Sequence, residues 1–302
     1  KSIYYTQAQT FPGSTQKSDF LGSLARTLMT KLTTETNVNP MVLFRAFSSG
    51  LSRRDILFMF SREDLQQLVE HFGWSGRVFN DFGCKGVSEE NCLFDPIALV
   101  EANLSVSKVN YFIKHTGLRE ISIAPNGGVS ERVSLSIRNT VNLTADPNAR
   151  GIGGSYRTYL RFIVPIDSSI NGVTLDGITV LSRDSKSTKL PQLPYIEKTE
   201  GPAGAQSLGV AFDVPPGREK KVQILYNRRA QLPFGRGGAL LDLLWYKHPG
   251  ISDTVVSTIV RYPVFWVATD ESGGAGLVAK DGELQYNTTI LQDQLTRIKF
   301  IK

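Results

Sequence analysis

The sequence predicts an α+β protein. A helical segment occupies residues 1–95, and a mainly antiparallel, Ig-like β-sandwich follows over 96–302. Three observations predict this. Apolar residues recur at three- and four-residue steps in the first part, and at two-residue steps beyond about residue 97. Gly and Pro clusters cut the second part into many short segments, the pattern of a sandwich. The chain is also long enough, at 302 residues and 41% hydrophobic, to fill a substantial core.

The elements follow in order. Ser18 stands before Phe20, Leu21, Leu24, Leu28 and Leu32, which share one helical face. Asn39-Pro40 starts a second helix through Val42, Leu43, Ala46 and Phe47, because proline at the first helical position loses no needed donor. Ser61 with Asp64 forms a capping pattern before Leu65, Leu68, Val69 and Phe72, and Gly73 supplies the stop. These three apolar stripes need a partner surface, and residues 1–95 offer too little to cover them. The expected partner is an upstream part of the same protein, of which this segment would be the end.

Beyond residue 97 the strands are legible by alternation. Ile121 and Ile123 face Val133, Leu135 and Ile137 across Asn126-Gly127-Gly128, a hairpin signal because these residues tolerate positive φ. Leu160, Phe162 and Val164 form another strand, as do Val210, Phe212 and Val214. Pro215-Pro216-Gly217 then turns the chain into Val222, Ile224 and Tyr226. Further strands are expected at 240–247, 254–262, 264–268, 283–287 and 294–301, with 182–206 as a long Ser-, Lys-, Pro- and Gly-rich excursion.

Charge and cysteines narrow the class. The formal charge of +6 comes from 34 basic and 28 acidic residues, and its excess is scattered in short pairs such as Lys220-Lys221 and Arg228-Arg229. That argues against a nucleic-acid partner, which calls for basic residues gathered on one face. Cys84 and Cys92 lie in a Gly-rich loop without nearby histidines, so zinc ligation is excluded and no metal site is expected. A local disulfide between them would indicate an oxidising compartment, with two free thiols as the alternative. No stretch is long and apolar enough to span a bilayer, so any membrane attachment is expected through an anchor upstream of Lys1.

Motifs for catalysis are missing. There is no H-E-x-x-H, no phosphate loop of the G-x-x-x-x-G-K-[ST] type, no G-x-S-x-G and no strand-linked G-x-G-x-x-G. His71, His115 and His248 are isolated along the chain, so no catalytic residue and no cofactor is expected. Trp245, Tyr246, Phe265 and Trp266 have two readings: packing between sheets, or flat platforms on which sugar rings stack. Trp245 and Trp266 are the candidates for glycan contact.

Several segments together resemble a bacterial family known as domain of unknown function 4012. Residues 61–79 carry Asp64, Gln66 or Gln67, Gly73, Trp74 and Gly76 at the spacing of that family's Gly-Trp-x-Gly element. Residues 101–113 are similar to its Asn-rich element, with Ser107 and Asn110 in place of the usual Asn and Asp. Arg138-Asn139-Thr140, Tyr156–Arg161, Val214–Gly217 and Lys247–Gly250 follow in the family's order, His248 replacing the usual Gln. The resemblance covers residues 17–262 and the later half of the family region. It implies an anchored extracytoplasmic protein whose other half is distantly similar to the LytR-CpsA-Psr glycopolymer transferases. It also implies that Gly73, Trp74 and Gly76 form a structural junction, with Trp74 plugging the helices onto the β part.

These readings converge on a cell-surface structural or interaction domain without its own catalytic centre. Its expected partners are copies of itself, another surface protein or envelope polysaccharide. The alternatives are an accessory half of an envelope glycopolymer transferase and a carbohydrate-binding module.

Overall fold

A computed structural model describes residues 14–34, 39–78, 83–87, 91–105, 108–142, 154–182, 192–251, 254–272 and 278–302. The chain divides into two compact units, Lys1–Gly50 and Leu51–Lys302. Residues 51–95 therefore belong with the strands rather than with the helices before them. The first unit holds α1 (Ser14–Thr34) and most of α2 (Pro40–Ser52). Helix α1 starts ahead of Ser18, so that serine is inside it rather than at its cap. Asn39 caps α2 as the Asn-Pro pair predicts, its Oδ1 accepting the Met41 N–H at 2.9 Å and the Val42 N–H at 3.4 Å. Most apolar positions of both helices are exposed, Leu28 and Phe44 among them, while Leu51 at the end of α2 is buried.

In the second unit, α3 (Glu63–His71) opens without a side-chain cap: Arg62 takes the N-cap position and Asp64 pairs with Arg62 instead of with Ser61. Its end explains the Gly-Trp-x-Gly signature. Gly73 has φ 73°, its N–H bonds to Glu70 O at 3.0 Å, and the Trp74 N–H reaches back to Val69 O at 2.7 Å. This is a Schellman closure, and glycine is required because a Cβ disfavours left-handed backbone. Trp74 is half-buried and stacks on Phe72 with ring centroids 4.8 Å apart. Arg54 makes a deep contact between this segment and the strands. Buried at 3% exposure, it binds Asp293 at 2.6 Å and lies 5.0 Å from the centre of the Tyr246 ring.

Among the described residues fifteen strands follow. The first five are β1 (Cys92–Asn103), β2 (Ile113–Ile123), β3 (Gly128–Asn139), β4 (Tyr156–Pro165) and β5 (Ser168–Leu175). Next come β6 (Ile178–Thr179), β7 (Tyr195–Thr199), β8 (Ala205–Val214), β9 (Glu219–Gln231) and β10 (Ala239–Tyr246). The last are β11 (Thr254–Arg261), β12 (Val267–Asp270), β13 (Val278–Lys280), β14 (Glu283–Ile290) and β15 (Gln294–Ile301). They form a seven-stranded sheet, β12-β15-β10-β1-β4-β8-β7, and an eight-stranded sheet, β13-β14-β11-β2-β3-β9-β5-β6. Residues from both sheets pack together in apolar clusters; in the larger one Ile97, Phe162 and Trp245 of the first meet Val133, Ile224 and Val256 of the second.

The expectation of an α+β protein with a mainly antiparallel, Ig-like sandwich does not hold. The molecule is mostly β, and each sheet is mixed: β1 runs parallel to β10, and β2 runs parallel to β11. Both parallel pairs lie in the interior of their sheets and join segments more than a hundred residues apart. Alternation tells which face of a strand is buried, not which neighbour it takes or in which direction. Within the expected excursion, Tyr195–Thr199 is β7 on the edge of the first sheet, and residues 183–191 lie outside the described residues.

Cys84 and Cys92 form a disulfide, with Cα atoms 5.7 Å apart, that ties the preceding loop to the first residue of β1. Converting both cysteines to serine should lower the unfolding free energy by about 2–3 kcal/mol, the chain-entropy cost of so short a loop. Urea titrations of the two proteins check this. In a parallel titration, Arg54→Ala should cost about 3 kcal/mol by leaving Asp293 without its cation.

Candidate functional site

Alternation along the strands places charged side chains on the inward faces. On β1 the inward row is Leu93, Asp95, Ile97, Leu99; on β3 it is Val129, Glu131, Val133, Leu135; on β2 it includes Ile121 and Arg119. Tyr226 and Arg228 of β9 complete the set. Together they form a polar layer between two apolar clusters, one containing Leu93, Ile121 and Val129 and the other Ile97, Val133 and Ile224. Arg119 is 1% exposed and Asp95 0%.

Geometry within the layer is close. Arg119 Nε donates to Glu131 Oε2 at 2.9 Å, and the Tyr226 hydroxyl donates to the same oxygen at 2.8 Å. Asp95 Oδ1 lies 3.0 Å from Arg228 Nη1 and 3.3 Å from Arg119 Nη2, ionic contacts rather than aligned hydrogen bonds. Arg228 also binds Asp167, at 3.0 Å. Both guanidinium groups serve backbone as well. Arg119 donates to Asp95 O at 3.0 Å and Leu244 O at 3.4 Å, and Arg228 donates to Phe94 O at 3.1 Å. Those carbonyls flank Pro96, which brings no N–H to the sheet and is tolerated because β4 joins β1 only from Ala98 onward.

The layer sets its own charge. Burial pushes Asp95 upward, but Arg228, the neighbouring Glu131 and Arg119 together hold its carboxyl below the usual range. Burial raises Glu131 to about 8, and the neighbouring Asp95 adds to the rise against the pull of Arg119. With Glu131 protonated, two guanidinium groups balance Asp95 and Asp167.

A second polar cluster lies on the same inward rows, towards the other end of the sheets. Glu101 of β1 accepts from His115 of β2 at 2.7 Å and from the Thr158 hydroxyl of β4 at 2.8 Å. Burial pushes Glu101 up, but His115, Thr158 and Tyr156 outweigh it and keep the carboxylate ionised below its ordinary value. His248 Nε2 lies 3.1 Å from Glu101 O, so two of the three histidines that are isolated along the chain meet here. Lys247, buried at 3%, lies 3.5 Å from Asp55. A cavity of about 30 Å³ between Glu101, His115, Trp245, His248 and Ile251 has room for about two waters. Glu101 and His115 make the carboxylate–imidazole half of an acid–base relay. Among the described residues no Ser or Cys is hydrogen-bonded to that imidazole.

The residues singled out from sequence land elsewhere. Trp245 and Trp266 are 7% and 3% exposed, in the two apolar clusters, and offer no open ring face to a sugar. Trp266 instead meets Phe234 edge-on at 4.6 Å. Cys84, Cys92 and Asp242 are the one gathering of three residues able to ligate a metal among the described residues, and the disulfide removes both sulfurs as thiolate ligands. Asp242 is used by Arg297 at 2.7 Å and by the Cys84 N–H at 2.6 Å. Gly235–Gly238 closes on itself as a turn. Sequence reasoning missed Asp95, Arg119, Glu131 and Arg228. The available signal was a charge at a position whose neighbours two residues away are apolar, as in Val129-x-Glu131-x-Val133.

No family model matches the chain, and no curated protein matches it. Among solved structures, a protein named for nutrient binding from Legionella pneumophila is 11% identical, with a TM-score of 0.41, over 68% of this chain and 71% of that one. An M1 zinc metallopeptidase of Deinococcus radiodurans is 10% identical, with a TM-score of 0.33, over 62% of this chain and 42% of the other. Leukotriene A4 hydrolase of Saccharomyces cerevisiae is 8% identical, with a TM-score of 0.39, over 66% and 30%. The chain spans less than half the length of either of the last two, and none of these likenesses bears on its activity.

The proton on Glu131 has a measurable consequence. Unfolded, this carboxyl ionises near 4.5; folded, near 8. The folded state holds the proton more tightly, so the stability it contributes is complete below pH 4.5 and is lost as pH rises through about 8. Glu131→Gln keeps a neutral group in place. Urea unfolding from pH 5 to 9 should show wild-type stability falling more steeply than that of the variant, and equal slopes would remove the proton from Glu131.

Proposed function

We propose that this chain is an extracytoplasmic cell-surface structural or interaction domain that works by presenting a strand edge and its loops to another protein, without a catalytic centre of its own. The observation that carries this reading is the apolar rim of the first sheet. Val264, Phe265 and Val267 are 73%, 68% and 60% exposed beside edge strand β12, and Ile301 pairs with Val267 in register. An edge strand with bare apolar side chains invites pairing or covering by a partner. Buried Trp266 and Phe300 stiffen the rim from beneath.

Other features support the reading. The disulfide suits an oxidising compartment outside the cytoplasm. No described helix is long and apolar enough to cross a membrane. The resemblance to the domain of unknown function 4012 family favours attachment through another part of a longer envelope protein. The inter-sheet space is filled by side chains and ion pairs, with room at the Glu101–His115 cluster for water rather than for a substrate.

Two measurements test it. A membrane-impermeant biotin reagent applied to intact cells should label the protein, and labelling only after lysis would overturn the compartment. The labelled chain should be retained by a solubilised envelope-protein fraction, and Phe265→Asp with Val267→Asp should reduce retention at least about fivefold, the loss of roughly 1 kcal/mol at an apolar anchor. Undiminished retention of the double variant would discard the β12 rim as the contact.

A further inference from the structure

We propose a glycan-binding site on the outward face of the first sheet, where Tyr159 lies over β8 and takes a pyranose ring of an extended polysaccharide. The proposal rests on the surface-display reading and adds a ligand class to it.

The face is built from cross-strand register. Tyr159 of β4, Ala211 of β8 and Tyr195 of β7 stand in one row; Arg161, Gly209 and Glu197 stand in the next. Arg157 and Asp213 form a third, with an ion pair at 3.0 Å. The outward residues of β8 are Ser207, Gly209 and Ala211, too small to cover their own strand, yet Ala211 is fully buried and Ser207 is 3% exposed. Neighbouring side chains cover them. A Cβ on Gly209 would overlap the Tyr159 hydroxyl and the ring carbons beside it, so that ring crosses β8 at the height of the backbone. Its hydroxyl donates to Glu197, two strands away, at 2.8 Å. Here the glycine lets the ring lie flat, and Glu197 holds it there.

The chemistry fits a sugar. A pyranose presents an apolar face of C–H groups and a rim of hydroxyls. The half-buried Tyr159 ring offers the flat apolar surface, Glu197 an acceptor, and Arg161 a donor at the same row. The rows on either side of Tyr159 each carry one charge of either sign, which suits a hydroxyl-rich chain better than a strongly anionic one. Tyr195 extends the aromatic surface by one strand. The candidates drawn from sequence, Trp245 and Trp266, are sealed inside, whereas this tyrosine carpet faces out.

Native affinity electrophoresis of the full chain tests the site, in gels containing hydroxyethylcellulose, laminarin or peptide-free peptidoglycan glycan strands. At least one polymer should retard the wild type. Tyr159→Ala should weaken that retardation at least about tenfold, while Tyr159→Phe, which keeps the ring, should stay within about threefold. Glu197→Gln should weaken it by an intermediate factor. Unchanged circular dichroism and melting temperature of the Phe and Gln variants keep the test readable if the Ala variant folds poorly. No retardation by any of the three polymers, or equal retardation of the wild type and a folded Tyr159→Ala, overturns the site. Those results would leave the β12 rim reading standing, because retention by envelope proteins measures that separately.

Discussion

The ionic layer formed by Asp95, Arg119, Glu131, Tyr226 and Arg228 is the constraint on which the rest of the β body depends. It brings one strand of the first sheet against three of the second, deep between them. Such a layer adds little net stability, since desolvating each ion costs much of what the attraction returns. Its force is restrictive. A one-residue slip of β2 would turn Arg119 to the outside and leave Asp95 with Arg228 alone, and a slip of β3 would take Glu131 away from Arg119 and Tyr226. The two sheets can therefore stack in one register, and the apolar clusters above and below the layer fall into place on either side of it.

Other parts of the molecule are arranged around that register. Pro96 interrupts β1 beside the layer, and the guanidinium groups of Arg119 and Arg228 serve the nearby carbonyls. The disulfide fixes the start of β1 three residues before Asp95, and Arg297 holds Asp242 next to it on β10. At the other end of the same inward rows, Glu101, His115 and Thr158 close the space with hydrogen bonds instead of apolar packing. The two surfaces proposed for recognition, the β12 rim around Phe265 and the face around Tyr159, both lie outside this locked interior. A rigid sheet suits such a role, because neither surface must be ordered when a partner arrives.

Local signals in the chain were legible where the physics is local. Asn39-Pro40 starts α2 with the Asn39 side chain as its cap; Asn126-Gly127-Gly128 turns β2 into β3 with Gly127 at φ 88°; Gly73 stops α3. The strands at Leu160–Val164, Val210–Val214 and Val222–Tyr226 follow their two-residue alternation. Less was legible of the sites. Cys84 and Cys92 pair across eight positions, a short-range event. Of the two readings of Trp245 and Trp266, their burial fits packing between the sheets; aromatic character alone does not reveal which side of a sheet a residue takes. Trp74 is half-buried on Phe72, and Arg54, a residue with no pattern around it, makes the deep contact.

By itself the sequence determined several turns and helix stops, the apolar face of the strands that alternate, and which loop the cysteines close. These depend on φ preferences, caps and alternation within a few residues. Only the tertiary structure decided that β1 takes β10 and β2 takes β11 as parallel neighbours, that five polar side chains on four strands meet as one layer, and that His115 and His248 converge on Glu101. Partner choice between strands more than a hundred residues apart is set by how two whole faces fit and how buried charges find their counterparts. No short window of the chain contains both halves of that fit.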